Sequence, residues 1–227
     1  MTGFRRFVKE CSLSLFFGAI FLGALVGQAI AGWHKFNSDQ LAASLGQISL
    51  AQYLTSADFA VDVTENWQSE YLQFLLYIVA TVWLVQRGSP ESKKLEKVGL
   101  ESPEDQKLGR HAEADSPSWA KVGGVRTTVF SWSLSMVMAS IFLASWVAQS
   151  VGGWATYNEV RLQRLQDPLQ WSEYIGDADF WSRTLQNWQS EFLAVGSMAV
   201  LSIYLRQRGS PESKPVGSPH TATGVEG

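Results

Sequence analysis

The longest uninterrupted apolar stretch begins at Cys11 and reads CSLSLFFGAIFLGALVGQAIAG, without a charge as far as Gly32. A helix rises ~1.5 Å per residue and needs about 20 mostly apolar residues to cross the hydrocarbon core of a bilayer. This segment therefore predicts a membrane span, and a second uncharged stretch at about 130–153 predicts another. Two shorter uncharged runs, 71–86 and 192–205, are of a length that also suits a buried helix of a soluble protein. Ser56 and Asp177 are good N-cap residues ahead of them, so these helices are expected to begin near Ala57 and Ala178. They are expected to end at Gly88 and Gly209, with Arg87 or Arg208 in the last turn and a proline two residues beyond.

The pattern occurs twice. QRGSPESK stands at 86–93 and 207–214, NWQSE at 66–70 and 187–191, and ADF at 57–59 and 178–180, each pair 121 residues apart. Gln28 and Gln149, and the Gly-Trp pairs at 32–33 and 153–154, keep the same offset. About 34 of the 89 positions from 5 to 93 match their partners without a gap, so one unit was duplicated. The domain reading follows. A first helix-pair repeat covers 5–93, with spans at about 11–32 and 66–87. A polar cytoplasmic linker occupies 94–124. The second repeat covers 125–214, with spans at about 130–153 and 187–208, and a disordered tail fills 215–227.

Charge decides whether the second helix of each pair crosses. Of 18 Lys and Arg residues, 14 lie in the N-terminal segment, the linker and the tail. The two loops inside the pairs carry only Lys35, Arg161, Arg164 and Arg183, and the loops together with their helix mouths hold 11 acids, from Asp39 to Glu191. Basic residues stay on the cytoplasmic side. Four crossings place every Lys-rich segment inside and both acidic loops outside, with both chain ends cytoplasmic. The expected fold is all-α: a four-helix transmembrane bundle built from two tandem parallel repeats of a helix pair. Leu41, Leu45, Ile48, Leu50 and Tyr53, and likewise Leu162, Leu165, Leu169, Trp171 and Tyr174, predict short amphipathic helices in the extracytoplasmic loops. Arg5-Arg6 before an apolar run ending in Ala-Ile-Ala resembles a signal peptide. The equivalent helix lies mid-chain, where it cannot be one, so the first helix is expected to be retained.

Composition adds a little. Ten Trp residues suit a bilayer boundary, where an apolar ring carries an N–H that still needs a partner. One cysteine, Cys11, excludes an intramolecular disulfide or a multi-cysteine metal site, and three scattered His residues make a His-based site improbable. A net charge of −3 gives no reason to expect nucleic acid. No phosphate loop, nucleophile elbow, HExxH or CxxC is present. The chain is expected to be no enzyme and to need no cofactor.

Two sets of residues stand out. Ala19, Gly23, Gly27 and Ala31 recur every four positions, and their partners Ser140, Ala144, Ala148 and Gly152 are also small. Such a ridge lets helix backbones approach closely in lipid. The second set is a polar cluster at similar depth below the outer interface: Gln28, Asn66 and Glu70 in one copy, Gln149, Asn187 and Glu191 in the other. An intramembrane carboxylate is a functional candidate. The plainer role is a bond from each Glu to the Gln of its own repeat, pinning the helix pair. Asp58 and Asp179, in the first turns of their helices, complement the helix dipole. The SPE triplets at Ser89, Ser102 and Ser210 are read as turns in a solvated linker.

The duplicated GQAIAGW, SADF, ENWQSE and QRGSPESK strings resemble a family of small bacterial membrane proteins known as a domain of unknown function. The resemblance covers nearly the whole chain and implies a bacterial inner-membrane location, but no activity. The expected function is a non-enzymatic structural or accessory membrane component. The alternative is a proton or cation conduit, or a small-ligand binder, using the paired carboxylates. Expected partners are the lipid bilayer and a larger membrane complex or a homo-oligomer.

Overall fold

A computed structural model describes residues 3–225. Among the described residues the chain is all-α, with nine α-helices and no strand. They are α1 (Gly3–Glu10), α2 (Ser12–Ala42), α3 (Leu50–Leu54), α4 (Ala57–Ala80), α5 (Ser118–Lys121), α6 (Gly124–Ser131), α7 (Ser133–Gln163), α8 (Trp171–Ile175) and α9 (Ala178–Tyr204). Single 3₁₀ turns at Leu95–Lys97 and Gly109–His111 punctuate the linker. The starts of α1 to α4 recur 121 residues later as the starts of α6 to α9. Two helices, α2 and α7, are long and apolar enough to cross a membrane. α4 is 24 residues long and α9 is 27, but charges dilute their apolar character, on α4 Asp58, Asp62 and Glu65 in the first half and Glu70 just past the middle.

Helix bounds depart from the sequence pattern in instructive ways. α2 runs ten residues past Gly32, because nothing in WHKFNSDQLA breaks a helix and Lys35 pairs with Asp39 one turn on, 3.2 Å away. It stops where Ser44 takes a left-handed φ of 60°, and α7 stops at the equivalent Leu165, φ 56°. Ser56 and Asp177 do cap α4 and α9: the Phe59 N–H donates to Ser56 Oγ at 3.3 Å and the Asp179 N–H to Asp177 Oδ1 at 2.8 Å. The other ends fall short of the glycines. α4 closes at Ala80, within the β-branched stretch 78–82 whose χ1 angles are crowded by the preceding turn, and α9 closes at Tyr204. Thr81 caps the last turn of α4 by donating its hydroxyl to the Tyr77 carbonyl at 2.7 Å. Gly88 and Gly209 instead shape turns beyond the helices, at φ 89° and 83°.

The chain forms two compact units, Met1–Val63 with Gly152–Pro168, and Thr64–Val151 with Leu169–Gly227. In the first, Tyr53 of α3 is almost fully buried between Phe36 and Phe59, with ring centroids 5.7 and 5.5 Å away. Its hydroxyl end lies against Gly32, where any Cβ would overlap it. Asn37 pins the loop before α3, donating to the Ile48 carbonyl at 2.9 Å and accepting the Ile48 N–H at 2.8 Å. Trp33 Nε1 donates to the same carbonyl at 2.7 Å. The loop helices expected to rest on a lipid surface therefore turn their central tyrosine inward.

The second unit is organised around Trp146. Its ring lies 6.2 Å from those of Phe180, Trp181 and Trp188, and 5.7 Å from Phe142. Tyr174 of α8 is as deeply buried as its repeat partner Tyr53. By contrast the apolar stretch of α2 is uncovered: its most apolar 18-residue window has no buried residue, and Phe16, Ile20, Leu22 and Val26 are all exposed.

Candidate functional site

The polar residues of the second unit join its helices. Arg183 on α9 donates from Nη1 to Glu65 Oε1 on α4 at 2.7 Å, and its Nε lies 3.4 Å from Asp179 one turn back. Asp179 in turn accepts from the Tyr174 hydroxyl at 3.2 Å. Burial first, then the Asp179 carboxylate, hold the Tyr174 phenol above its ordinary pKa. One turn further along, Trp188 Nε1 donates to Gln68 Oε1 at 2.7 Å. Gln149 of α7 reaches Thr184 of α9 at 3.5 Å, and Trp171 Nε1 donates to Ser150 Oγ at 3.3 Å. Thr184 and Trp188 lie one turn apart on α9, and Gln149 and Trp146 one turn apart on α7, so these side chains close a ring of polar and aromatic contacts. Gln68 Nε2, Gln149 Oε1 and Trp146 Nε1 in that ring are buried without a partner among the described residues.

The residues singled out by sequence are distributed otherwise. Gln149 is buried, and its bond goes to Thr184 and not to Glu191. Asn187 donates to the Arg183 carbonyl of its own helix at 3.0 Å. Glu70 is exposed and Glu191 half-buried; neither bonds to another described side chain, and the two lie within electrostatic reach of each other. Asn66 is exposed and Gln28 half-buried. In the first copy of NWQSE the inward residues are Gln68 and Ser69, and Gln68 accepts the interhelical bond; in the second copy Gln189 and Ser190 are exposed and Trp188 donates it. The Trp188–Gln68 pair had a trace in the sequence: both come from that string, one from each copy.

On the small-residue ridge, Ala19, Gly23, Gly27, Ala31, Ser140, Ala144 and Ala148 are exposed, and a Cβ at Gly23 or Gly27 would meet nothing. Gly152 alone is tightly packed, its Cβ position 2.7 Å from Val61. Among the helical glycines close approach thus falls at Gly152, the last ridge position, and at Gly32, which lies off the ridge.

The QRGSPESK strings fold alike. In the first, Gln86 N–H donates to Ser92 Oγ at 2.8 Å; in the second, Gln207 N–H donates to Ser213 Oγ at 2.9 Å. Each serine then donates to the next carbonyl, at 3.3 and 3.2 Å, closing a loop over the left-handed glycine. The terminal lysines diverge. Lys93 donates to the Gly99 carbonyl at 3.1 Å and pairs with Glu101 at 3.1 Å. Lys214 is buried, with its ammonium on the carbonyls of Gly88, Pro219, His220 and Ala222 at 2.5 to 3.3 Å. Burial, and then the Arg206 guanidinium, lower its pKa. The tail expected to be disordered is thereby folded over the first loop: Gly88 N–H donates to Thr223 Oγ1 at 2.8 Å and Gly224 N–H to the Ser89 carbonyl at 3.1 Å. Ser89 and Ser92 are consequently buried, not solvated.

No group of three or more metal-ligating side chains occurs among the described residues. The polar contacts on α4, α7 and α9 join helix to helix, and their chemistry is that of a clasp. No curated protein and no solved structure matches the chain. The model of one family, described as a domain of unknown function (DUF6766), matches residues 4–225, and the chain belongs to that family.

Proposed function

We propose that this chain is a multi-pass protein of the bacterial inner membrane, a non-enzymatic structural or accessory component. In this reading two tandem helix pairs form a four-helix transmembrane bundle with both ends in the cytoplasm. The observation that carries the reading is the uncovered α2: 31 residues, an uncharged core, and no buried residue in its most apolar window. An exposed apolar surface of that extent is not stable in water and calls for lipid or a partner. α1 supports it, since Phe4, Phe7 and Val8 share a short helix with Arg5, Arg6 and Lys9, the composition of a segment lying in an interface. The clasp of Gln68, Trp188, Thr184 and Gln149 suits a scaffold, because interhelical hydrogen bonds fix helix register in lipid. The test is extraction: the protein should remain in the membrane fraction through alkaline carbonate and leave it only with detergent. Release by carbonate alone defeats the reading.

A second reading, a proton or cation conduit, rests on the unpartnered carboxylates Glu70 and Glu191. Reconstituted protein carrying Glu70→Gln and Glu191→Gln would then show reduced flux relative to the parent. Equal flux, or none from the parent, removes it.

A further inference from the structure

A cavity of about 630 Å³ lies between the first QRGSPESK loop and residues 221–225. We propose that it binds a phosphate group, carried on an anionic phospholipid headgroup or free in solution. Only the lipid source rests on the membrane reading given above.

Three cations line the cavity, Arg87, Lys93 and Lys94, against one acid, Glu96. Lys93 is held in place by the Gly99 carbonyl and Glu101, which cancels part of its charge. Arg87 and Lys94 are exposed and have no hydrogen-bond or ion-pair partner among the described residues. Two free cations at one cavity suit a phosphate, with the planar guanidinium able to grip two oxygens and the ammonium acting as a point charge. The volume is within the range of small-molecule sites. Val85, Leu95 and Val225 add apolar wall, which a phosphodiester with attached carbon can use and a bare ion cannot. The loop follows the end of α4 at Ala80 by only a few residues, the depth at which headgroups lie if α4 crosses from outside to inside. Basic pockets in that position are a recurring means of holding anionic lipid.

The duplicated loop supplies an internal control. Arg208 stands where Arg87 does, but Pro215 and Val216 replace Lys94 and Leu95, and Lys214 is committed to four carbonyls. A separate cavity of about 470 Å³ there offers Arg208 as its one unpartnered cation.

The full chain should be purified in a non-ionic detergent and titrated with short-chain phosphatidylglycerol, short-chain phosphatidylcholine and inorganic phosphate. Bound molecules are counted by native mass spectrometry. The expected result is one phosphatidylglycerol per chain, retained where phosphatidylcholine is lost, with a roughly ten-fold loss of affinity in the R87Q/K94Q double variant. R208Q, which removes the equivalent charge from the other loop, should bind as the parent does. Phosphate binding as tightly as phosphatidylglycerol, with the same dependence on Arg87 and Lys94, assigns the site to a free anion. Indifference to R87Q/K94Q, an equal loss in R208Q, or no binding of either phosphate source overturns the proposal. A chain that stays monodisperse without detergent defeats the membrane reading alone, because the phosphate titration is still readable in buffer.

Discussion

A lysine ammonium has three N–H bonds to give, and Lys214 meets four carbonyl oxygens with no carboxylate among them. Hydrogen bonds from a charged donor are each worth more than neutral ones, roughly 1.5–3 kcal/mol in favourable cases. Lys214→Met should therefore free residues 215–225, at a cost of about 2 kcal/mol to local rather than global stability. Amide hydrogen exchange in that segment is the measurement; Lys93→Met, which loses one carbonyl and a partly exposed ion pair, should leave it protected. Tyr53 offers a test by pH. Burial first, then the Asp62 and Asp58 carboxylates, push its phenol up to about 12, against 10.0 when unfolded. Because the folded value is the higher, the neutral phenol stabilises the fold fully below pH 10, and that contribution is lost as pH rises from 10 through about 12. The alkaline limb of the stability curve, read by chemical unfolding in detergent, should flatten by roughly 2 kcal/mol in Tyr53→Phe. An unchanged limb places the alkaline sensitivity elsewhere.

Helices in this chain pack closely where an aromatic or branched side chain meets a glycine, and the two kinds of glycine on α2 can be told apart. A Cβ at Gly32 would overlap the Tyr53 ring, whereas at Gly23 it would meet nothing. Gly32→Ala should cost about 1–3 kcal/mol by overpacking, while Gly23→Ala should be neutral or raise Tm slightly through better helix propensity. If both substitutions lower Tm alike, the ridge carries packing against a partner outside this chain. The contrast also marks what the sequence discloses. Starts of α4 and α9 were legible because Ser56 and Asp177 act locally through their own side chains. The ends were not, because Gly88 and Gly209 signal a turn equally well after a helix or after an extended stretch. α1 and α6 escaped notice because eight residues carry too little periodicity to stand out beside an uncharged run of 22. In the candidate cluster the sequence spacing defines position along each helix but not azimuth. Rotation of α4 by one residue separates inward Gln68 and Ser69 from outward Glu70, and only packing fixes it.

At the scale of the whole molecule the membrane reading proposed above turns on how many times the chain crosses. By length and composition α2 and α7 alone qualify among the described residues, which allows a protein with two spans and α4 and α9 lying outside the bilayer. That arrangement, with the N-terminal Arg5, Arg6 and Lys9 inside, would carry Arg87, Lys93, Lys94 and Lys97 across the membrane. Moving such a segment opposes the bias that retains Lys and Arg in the cytoplasm. The cost in α4 is four carboxylates: Asp58, Asp62 and Glu65 in the half that would face outward, the last of them paired with Arg183, and Glu70 just past the middle of the helix. A carboxylate at the interface is far cheaper than one at the bilayer centre. The retention of basic residues thus favours the four-crossing topology proposed above. Fusions at Gly46, Gly99, Asp167 and Gly224 should report alternately: alkaline phosphatase active at the first and third, and a cytoplasm-dependent fluorescent protein bright at the second and fourth. Phosphatase activity at Gly99 would reduce the count to two and put the basic loop, with its cavity, on the outer side.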